Sequence, residues 1–512
     1  MTASWDSFRG SARPRRIRGG EIPAPGALSW RQQRRMILEA QKAARERAET
    51  EQTEAAAPSY NEIRIGRLRL DIDAVFTFAL IIPMLFAANA GSLSAAALAG
   101  LTPLYVFARR RQLIQVLIPR LFLLSVPIYA LVTTVWSEAP GETLKYAIEF
   151  GITVAIGLLI ATARNQEAVL KSLALAFLIY VVASVALGGR VAVGANGGTA
   201  FSGLTYSKNL LADITATGLI VSLAVGIIAF RSRSWFWMGV AGLAVVLDFY
   251  VVLAARSAGA LLGLMMGALP MLTLAPLVWA GKAVRGWLTA TVTVVLLAAA
   301  VTHKWLIQTV IEVGASAFGK DATFTGRTYI WYRASELIKE KPALGMGYNA
   351  FWLQGNVDAE GLWQFGGITN RSGFTFHNTL VEILVTMGWA GAVICIACLV
   401  IGAFFLIRKF VTRPTLPLVF WISLLLYEMT RMPIESIAIL PFYFSTALIF
   451  AALGSGFNGV KPARVPRGAY RHQPQVVEVR PILYATTTWA NPTLSAVRGS
   501  LRIRQQGSGD PR

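Results

Sequence analysis

The stretch Asn378–Ile407, NTLVEILVTMGWAGAVICIACLVIGAFFLI, decides the fold, because it carries a single charged side chain, Glu382. About 20 apolar helical residues cross a hydrocarbon core of ~30 Å, and this stretch is longer than that. It predicts a membrane-spanning helix. His377 stands immediately before it, and Arg408 and Lys409 follow it.

Working outward, similar apolar runs recur near 71–89, 92–108, 114–136, 144–162, 168–187, 209–230, 235–255, 257–280, 287–304, 415–430 and 437–455. A chain of 512 residues that is 55% hydrophobic, with mean hydropathy +0.53, is not an ordinary soluble protein. The net charge of +21 could suggest nucleic acid, but its distribution argues against that partner. Basic residues fall in the tails and in every second connection: Arg109–Arg111, Arg164 and Lys171, Arg231 and Arg233, Lys282 and Arg285, then Arg408, Lys409 and Arg413. That is the positive-inside bias. The expected fold is an all-α polytopic membrane protein of about 12 transmembrane helices, surrounded by membrane lipids, with both termini cytoplasmic.

The expected organisation has five parts. Residues 1–69 form a basic cytoplasmic tail, with an amphipathic surface helix from Trp30 to about Ala57. Residues 70–304 hold the first nine spans, 305–376 one large, partly helical outer loop, and 377–455 the last three spans. Residues 456–512 read as a disordered, basic cytoplasmic tail. The first apolar run begins near Leu70, so no cleavable signal peptide is expected. Cys395 and Cys398 share one span without partner ligands and read as buried packing. No metal constellation is visible, and no cofactor is expected.

Charges inside spans cost about 2.5–3.5 kcal/mol each on insertion scales, so each needs a reason. Glu149, Asp213, Asp248, Glu382 and Glu428 fall in the outer halves of their spans. Lys208, Arg256, Arg327, Arg371 and Arg431 lie on the same side, and together these groups predict an outward-facing polar cavity. Arg256 occupies an almost loopless turn, Ala255-Arg256-Ser257. Its planar guanidinium is either a fork aimed at a diphosphate or a side chain snorkelling to the interface.

Within the loop, Arg327 to about Glu340 reads as an amphipathic helix with Tyr329, Tyr332 and Leu337 able to share a face. Tyr348, Phe351, Trp352, Trp363 and Phe365 would rest on headgroups or stack on sugar rings. Of the three histidines, His472 lies in the tail and His303 at a span end, whereas His377 has Arg371 before it, Asn378 beside it and Glu382 one turn on. An ordinary imidazole accepts a proton near neutral pH, so His377 is the candidate base or substrate ligand.

These residues carry a resemblance. Trp136-Ser-Glu-Ala-Pro140, Phe201-Ser-Gly-Leu-Thr-Tyr-Ser-Lys208-Asn209 and Ala255-Arg256-Ser257 come first. Gly326-Arg327 with Trp331, Pro342-Ala-Leu-Gly345-Met-Gly347-Tyr348, His377-Asn378-Thr-Leu-Val-Glu382 and Met387-Gly388 follow in order. In this order, over roughly 120–440, the chain resembles the O-antigen ligase and polysaccharide polymerase superfamily of bacterial inner-membrane proteins. Two features depart from the common pattern: the Ala-Arg-Ser turn, and the long tails. The tails and the run Arg431-Met-Pro-Ile-Glu435-Ser look closer to exopolysaccharide polymerases of the succinoglycan type.

The resemblance implies glycosyl transfer at the periplasmic face from an undecaprenyl-diphosphate-linked oligosaccharide to a glycan or lipid acceptor. Chain-length regulators and export proteins are implied partners. Arginines holding the diphosphate map to Arg256 and Arg327, with Lys208, Arg371 and Arg431 as further candidates. The proposed general base maps to His377, with Glu382 or Glu435 orienting it or acting as the base itself. A polymerase is the leading expectation and an O-antigen ligase the alternative. A transporter, which would place its substrate at mid-membrane, and a non-catalytic assembly partner are the competing classes.

Overall fold

The computed structural model describes residues 62–65, 68–193, 198–301, 326–369, 371 and 373–457. The expected amphipathic helix Trp30–Ala57, the first part of the large loop, His303, His472 and the C-terminal tail lie outside the described residues.

The described chain is a helical bundle with two small hairpins. Strands β1 (Glu62–Ile65) and β2 (Leu68–Asp71) pair antiparallel. Asp71 then caps α1 (Ile72–Leu85) through Ala74 N. The succeeding helices are α2 (Ser92–Leu117), α3 (Ser125–Val132), α4 (Pro140–Ala161) and α5 (Gln166–Leu187). A hairpin of β3 (Gly189–Val193) and β4 (Gly198–Gly203) leads into α6 (Lys208–Arg231). Then come α7 (Trp235–Ala254), α8 (Ala258–Leu274) and α9 (Lys282–Val301). The loop contributes α10 (Arg327–Glu340) and α11 (Val357–Phe365), and the chain closes with α12 (Thr379–Thr412), α13 (Leu416–Arg431) and α14 (Phe444–Ser455).

Among the described residues, seven helical stretches are long and apolar enough to cross a membrane, including α4, α5, α6, α7 and α12. Their packing fits a lipid solvent. The central helix α6 contacts α5, α7, α8 and α13 and is buried almost throughout. α7 and α12 instead turn Phe236, Leu243, Val246, Val393, Val400 and Phe404 outward. Large apolar side chains on the outside and buried charges within are what hydrocarbon surroundings select. The protein is a polytopic helical membrane protein.

Four sequence expectations need correction. The runs 92–108 and 114–136 are not two clean spans. One helix runs from Ser92 to Leu117 and passes directly into 3₁₀ turns at Ile118–Leu124, where Pro119 interrupts regular bonding. Arg109–Arg111 therefore lie in a helix rather than a connection, and Arg109 is buried against Asp73 (3.2 Å) and Thr162. The last span begins only at Phe444, because 437–443 is irregular, with Ala438 and Phe442 at positive φ.

The fourth correction concerns the deciding stretch itself. α12 is broken at Gly388, whose φ of 63° and ψ of −170° are non-helical. A break in hydrocarbon strands backbone groups unless protein supplies partners. The turn Pro342–Gly347 does so. Trp389 N and Ala390 N donate to the carbonyls of Pro342 and Ala343, while Met346 N and Gly347 N donate to Val385 and Thr386. The approach requires glycine on both sides. A Cβ on Gly388 would lie 2.4 Å from Ala343 O, and one on Gly345 would lie 2.6 Å from the carbonyl carbon of Thr386.

Candidate active site

The loop preceding α12 is held in one conformation from both sides. Asn378 caps α12 by accepting from Leu380 N and Val381 N, and its own amide donates to Pro433 O at 3.0 Å. Thr379 N donates to Met432 O, Thr379 Oγ1 donates to Glu435 O, and Ile437 N donates back to Thr379 Oγ1. Residues 375–382 and 432–437, far apart in the chain, are thus stitched together. From the other side Trp331 of α10 donates to Phe376 O at 2.8 Å.

Within this frame His377 takes φ of 52°, a left-handed conformation that a non-glycine residue adopts only where its surroundings fix it. Its Nδ1 lies 3.1 Å from Glu435 Oε2. Glu435 Oε1 accepts from Arg327 Nη2 at 3.0 Å and from Asn209 Nδ2 at 3.3 Å, and Arg327 Nη1 also reaches Ile434 O. Burial alone would push the Glu435 carboxyl up. The hydrogen bond from His377 and the charges of Arg327 and Arg431 outweigh it and hold the carboxyl at about 2. A carboxylate bound to Nδ1 fixes the ring and leaves Nε2 as the free nitrogen, in the manner of an oriented base. His377 is 25% exposed, enough for a ligand to reach it.

Four helix N-termini meet around this pair. α6 arrives through Asn209, α10 through Arg327 and α12 through Thr379. α8 arrives at Gly259, where a Cβ would lie 2.7 Å from Ile434 Cδ1. Ser207 caps α6 and Asn378 caps α12, whereas Ser257 of α8 and Gly326 of α10 make no side-chain cap bond. Arg256 and Arg327 adjoin these two uncapped ends. Arg256, at φ of 51°, is exposed on the turn that abuts Ile434, and Lys208 is half-buried in the first turn of α6. Helix N-termini carry partial positive charge, so cations placed there create a site for an anion.

Three of the expected site residues sit elsewhere. Arg431 is buried, its guanidinium engaged by Asp213 and Glu428, and is not open to a diphosphate. Glu382 does not touch the imidazole. It is buried beneath the loop, accepting from Phe376 N (2.9 Å), Ser436 Oγ (2.8 Å) and Trp352 Nε1 (3.0 Å), and so shapes the backbone that carries His377. Arg371 pairs with Glu360 at 3.0 Å on the surface. Of the acidic groups expected to face outward, Asp213, Asp248 and Glu428 are fully buried, and Glu149 is half-buried.

The loop aromatics also differ from expectation. Phe351 and Trp363 join Ile330, Ala334, Leu337 and Phe376 in the loop's own core, Tyr348 joins the main core, and Phe365 is exposed. The buried face of α10 is Ile330, Ala334 and Leu337, while Tyr329 and Tyr332 face out. Asn209 was present in the sequence motif, but nothing local marked it as a partner of Glu435.

A helical membrane bundle with a partly exposed cluster of charged side chains around one histidine defines a class in which such a cluster is built at one end of the helices. Comparison with known proteins narrows it. A family model described as "O-Antigen ligase" matches residues 243–396, a range that includes Arg256, Arg327 and His377. The chain is also 27% identical over 399 residues to "Exopolysaccharide production protein ExoQ" of Rhizobium meliloti (strain 1021), covering 75% of this chain and 88% of the relative. The chain is thus similar, over its central part, to O-antigen ligases and, over most of its length, to an exopolysaccharide production protein.

Proposed function

We propose that this protein polymerises bacterial exopolysaccharide or O-antigen, joining undecaprenyl-diphosphate-linked repeat units at the periplasmic face of the inner membrane. The observation that carries the reading is the meeting of His377, Glu435 and Arg327 beside the Arg256 turn and the first turn of α6. In this reading about 12 spans place both termini in the cytoplasm and the loop 305–376 in the periplasm.

The chemistry follows from these groups. A glycosyl diphosphate brings its own leaving group, whose developing negative charge needs fixed cations and oriented N–H groups. Arg256, Arg327 and Lys208, together with the uncapped ends of α8 and α10, supply them. His377 Nε2 takes the proton from an acceptor hydroxyl as that oxygen attacks the anomeric carbon. The bond to the diphosphate breaks, and the lipid diphosphate leaves as an anion. Glu435 stays ionised, holds the ring and stabilises its protonated form. Attack from the face opposite the leaving group inverts the anomeric centre.

The similarity to an exopolysaccharide production protein favours exopolysaccharide over lipid A core as the product's destination. The family model's description keeps ligation to a lipid A core as the second reading. A gene deletion separates the two. Loss of secreted high-molecular-weight polysaccharide with normal glycan-capped core supports polymerisation, and the reverse supports ligation. Complementation with His377→Ala should restore neither product despite normal membrane levels. Restored product would exclude His377 as the base.

A further inference from the structure

Beneath the candidate site lies a polar cluster that the proposed chemistry does not use. Asp213, on the second turn of α6, accepts four hydrogen bonds. Oδ1 takes Tyr427 Oη at 2.9 Å and Arg431 Nη1, and Oδ2 takes Tyr443 Oη at 2.6 Å and Ser445 Oγ at 3.1 Å. Arg431 Nη1 also reaches Glu428 Oε2 at 3.1 Å, and its guanidinium stands 5.0 Å from the Tyr427 ring centroid. Asp213 and Glu428 are 0% exposed and Arg431 3%. The cluster ties α6, the C-terminal end of α13 and the beginning of α14 together.

Besides the charge of Arg431 acting on Glu435, its link to the site runs through one carbonyl. Arg431 O accepts from both Ile434 N and Glu435 N at 2.9 Å. Ile434 in turn supplies the carbonyl that receives Arg327 and the side chain against Gly259, and Glu435 supplies the carboxylate that holds His377 and Arg327. A guanidinium locked at its far end fixes the Cα from which this turn is built. A buried ion pair adds little net stability compared with apolar packing, so its best-attested use is to specify one geometry.

We propose that the buried Asp213–Arg431 pair is a positioning element for glycosyl transfer: it fixes the 431–435 turn and thereby sets Glu435 against His377 and Arg327. The inference rests on the reading of His377 as the base. It assigns Arg431 to the rate of the chemical step and not to the binding of the diphosphate.

The test measures kcat and donor KM separately. The probe is lipid-linked oligosaccharide extracted from a strain deleted for this gene, and the enzyme is the full chain in lipid nanodiscs. Displacing a catalytic group by about 1 Å costs on the order of a hundredfold. Arg431→Lys and Asp213→Asn should therefore lower kcat by roughly that factor, with donor KM within about twofold of wild type. A KM raised by a similar factor at unchanged kcat would return Arg431 to the donor site and overturn the proposal. So would wild-type values of both constants. Should the charge variants fail to reach the membrane, Tyr443→Phe decides alone, because it removes one of Asp213's four bonds without stranding a charge. An unchanged kcat there counts against the proposal. Activity surviving in His377→Ala would instead overturn the reading of the site itself, so the two failures are distinguishable.

Discussion

The two ends of the last helix use cations in opposite ways. At its C-terminal end, Arg120 donates to Gly454 O (2.8 Å) and Phe457 O, and Lys409 donates to Ser455 O (2.6 Å) and Phe457 O (3.3 Å). Carbonyls left over at the end of α14 take up those charges, and the helix dipole favours them there. Near its other end, Lys208, Arg256 and Arg327 sit at helix N-termini, where the dipole opposes a cation. Among the described residues, Glu435 and the carbonyl of Ile434 offset Arg327. The first arrangement is complete as it stands. In the proposed reading the second takes up an added anion at Arg256 and Arg327, which makes that end the place for chemistry.

The comparison can be broken most directly at the histidine. His377→Ala should lower turnover by roughly 10²–10⁴-fold, the usual worth of a general base, read as polymer formed from lipid-linked donor. Turnover within a few-fold of wild type would remove the chemistry from this end.

Arg327→Ala should come next. Truncating one partner of this half-buried, hydrogen-bonded charge pair should raise donor KM and lower kcat together, because in the proposed reading Arg327 serves both the diphosphate and Glu435. If Arg120→Ala at the other end changed donor KM as much, the contrast between the ends would fail.

The acidity of Glu435 sharpens the contrast. Its carboxyl is depressed in the folded protein to about 2, so its stabilising contribution is full above the unfolded value near 4.3 and fades as pH falls toward 2. The kcat profile of wild type between pH 5 and 8 should therefore show no limb from this carboxylate. Glu435→Gln should lower kcat across that whole range without altering the profile's acid side through its own titration. A stopped assay across the range reads both.

Gly388→Ala should destabilise the fold. A positive φ combined with ψ near −170° is a region essentially confined to glycine and costs another residue about 1–3 kcal/mol, and the added Cβ meets Ala343 O at 2.4 Å. A lowered melting temperature in detergent is the expected outcome. The smallest effect belongs to Arg371→Ala. Its half-exposed pair with Glu360 is worth up to about 1 kcal/mol, and donor kinetics should stay within about twofold of wild type.

Much of this was legible in the sequence because hydrocarbon is a demanding solvent. Apolar length marked a helical membrane protein, and the turn at Arg256, the helix from Arg327 and the histidine before α12 all stood out locally. What could not be read were pairings across the chain. His377 and Glu435 are separated by 58 residues, and both Glu382 and Glu435 lay open as its partner until the fold placed one on the ring and the other under the loop. Arg431 carried the same charge signal as Arg327. Only Asp213, 218 residues away, distinguishes its role. The glycines of Pro342–Gly347 and Gly388 were visible as two separate motifs, but their interlocking was not.

That interlocking bears on how the protein is made. The ribosome releases the 342–347 hook before it releases the interrupted segment that the hook completes. Until the two meet, each holds amide or carbonyl groups that a bilayer will not solvate. The break in that segment is therefore expected to enter hydrocarbon only once the hook has closed on it.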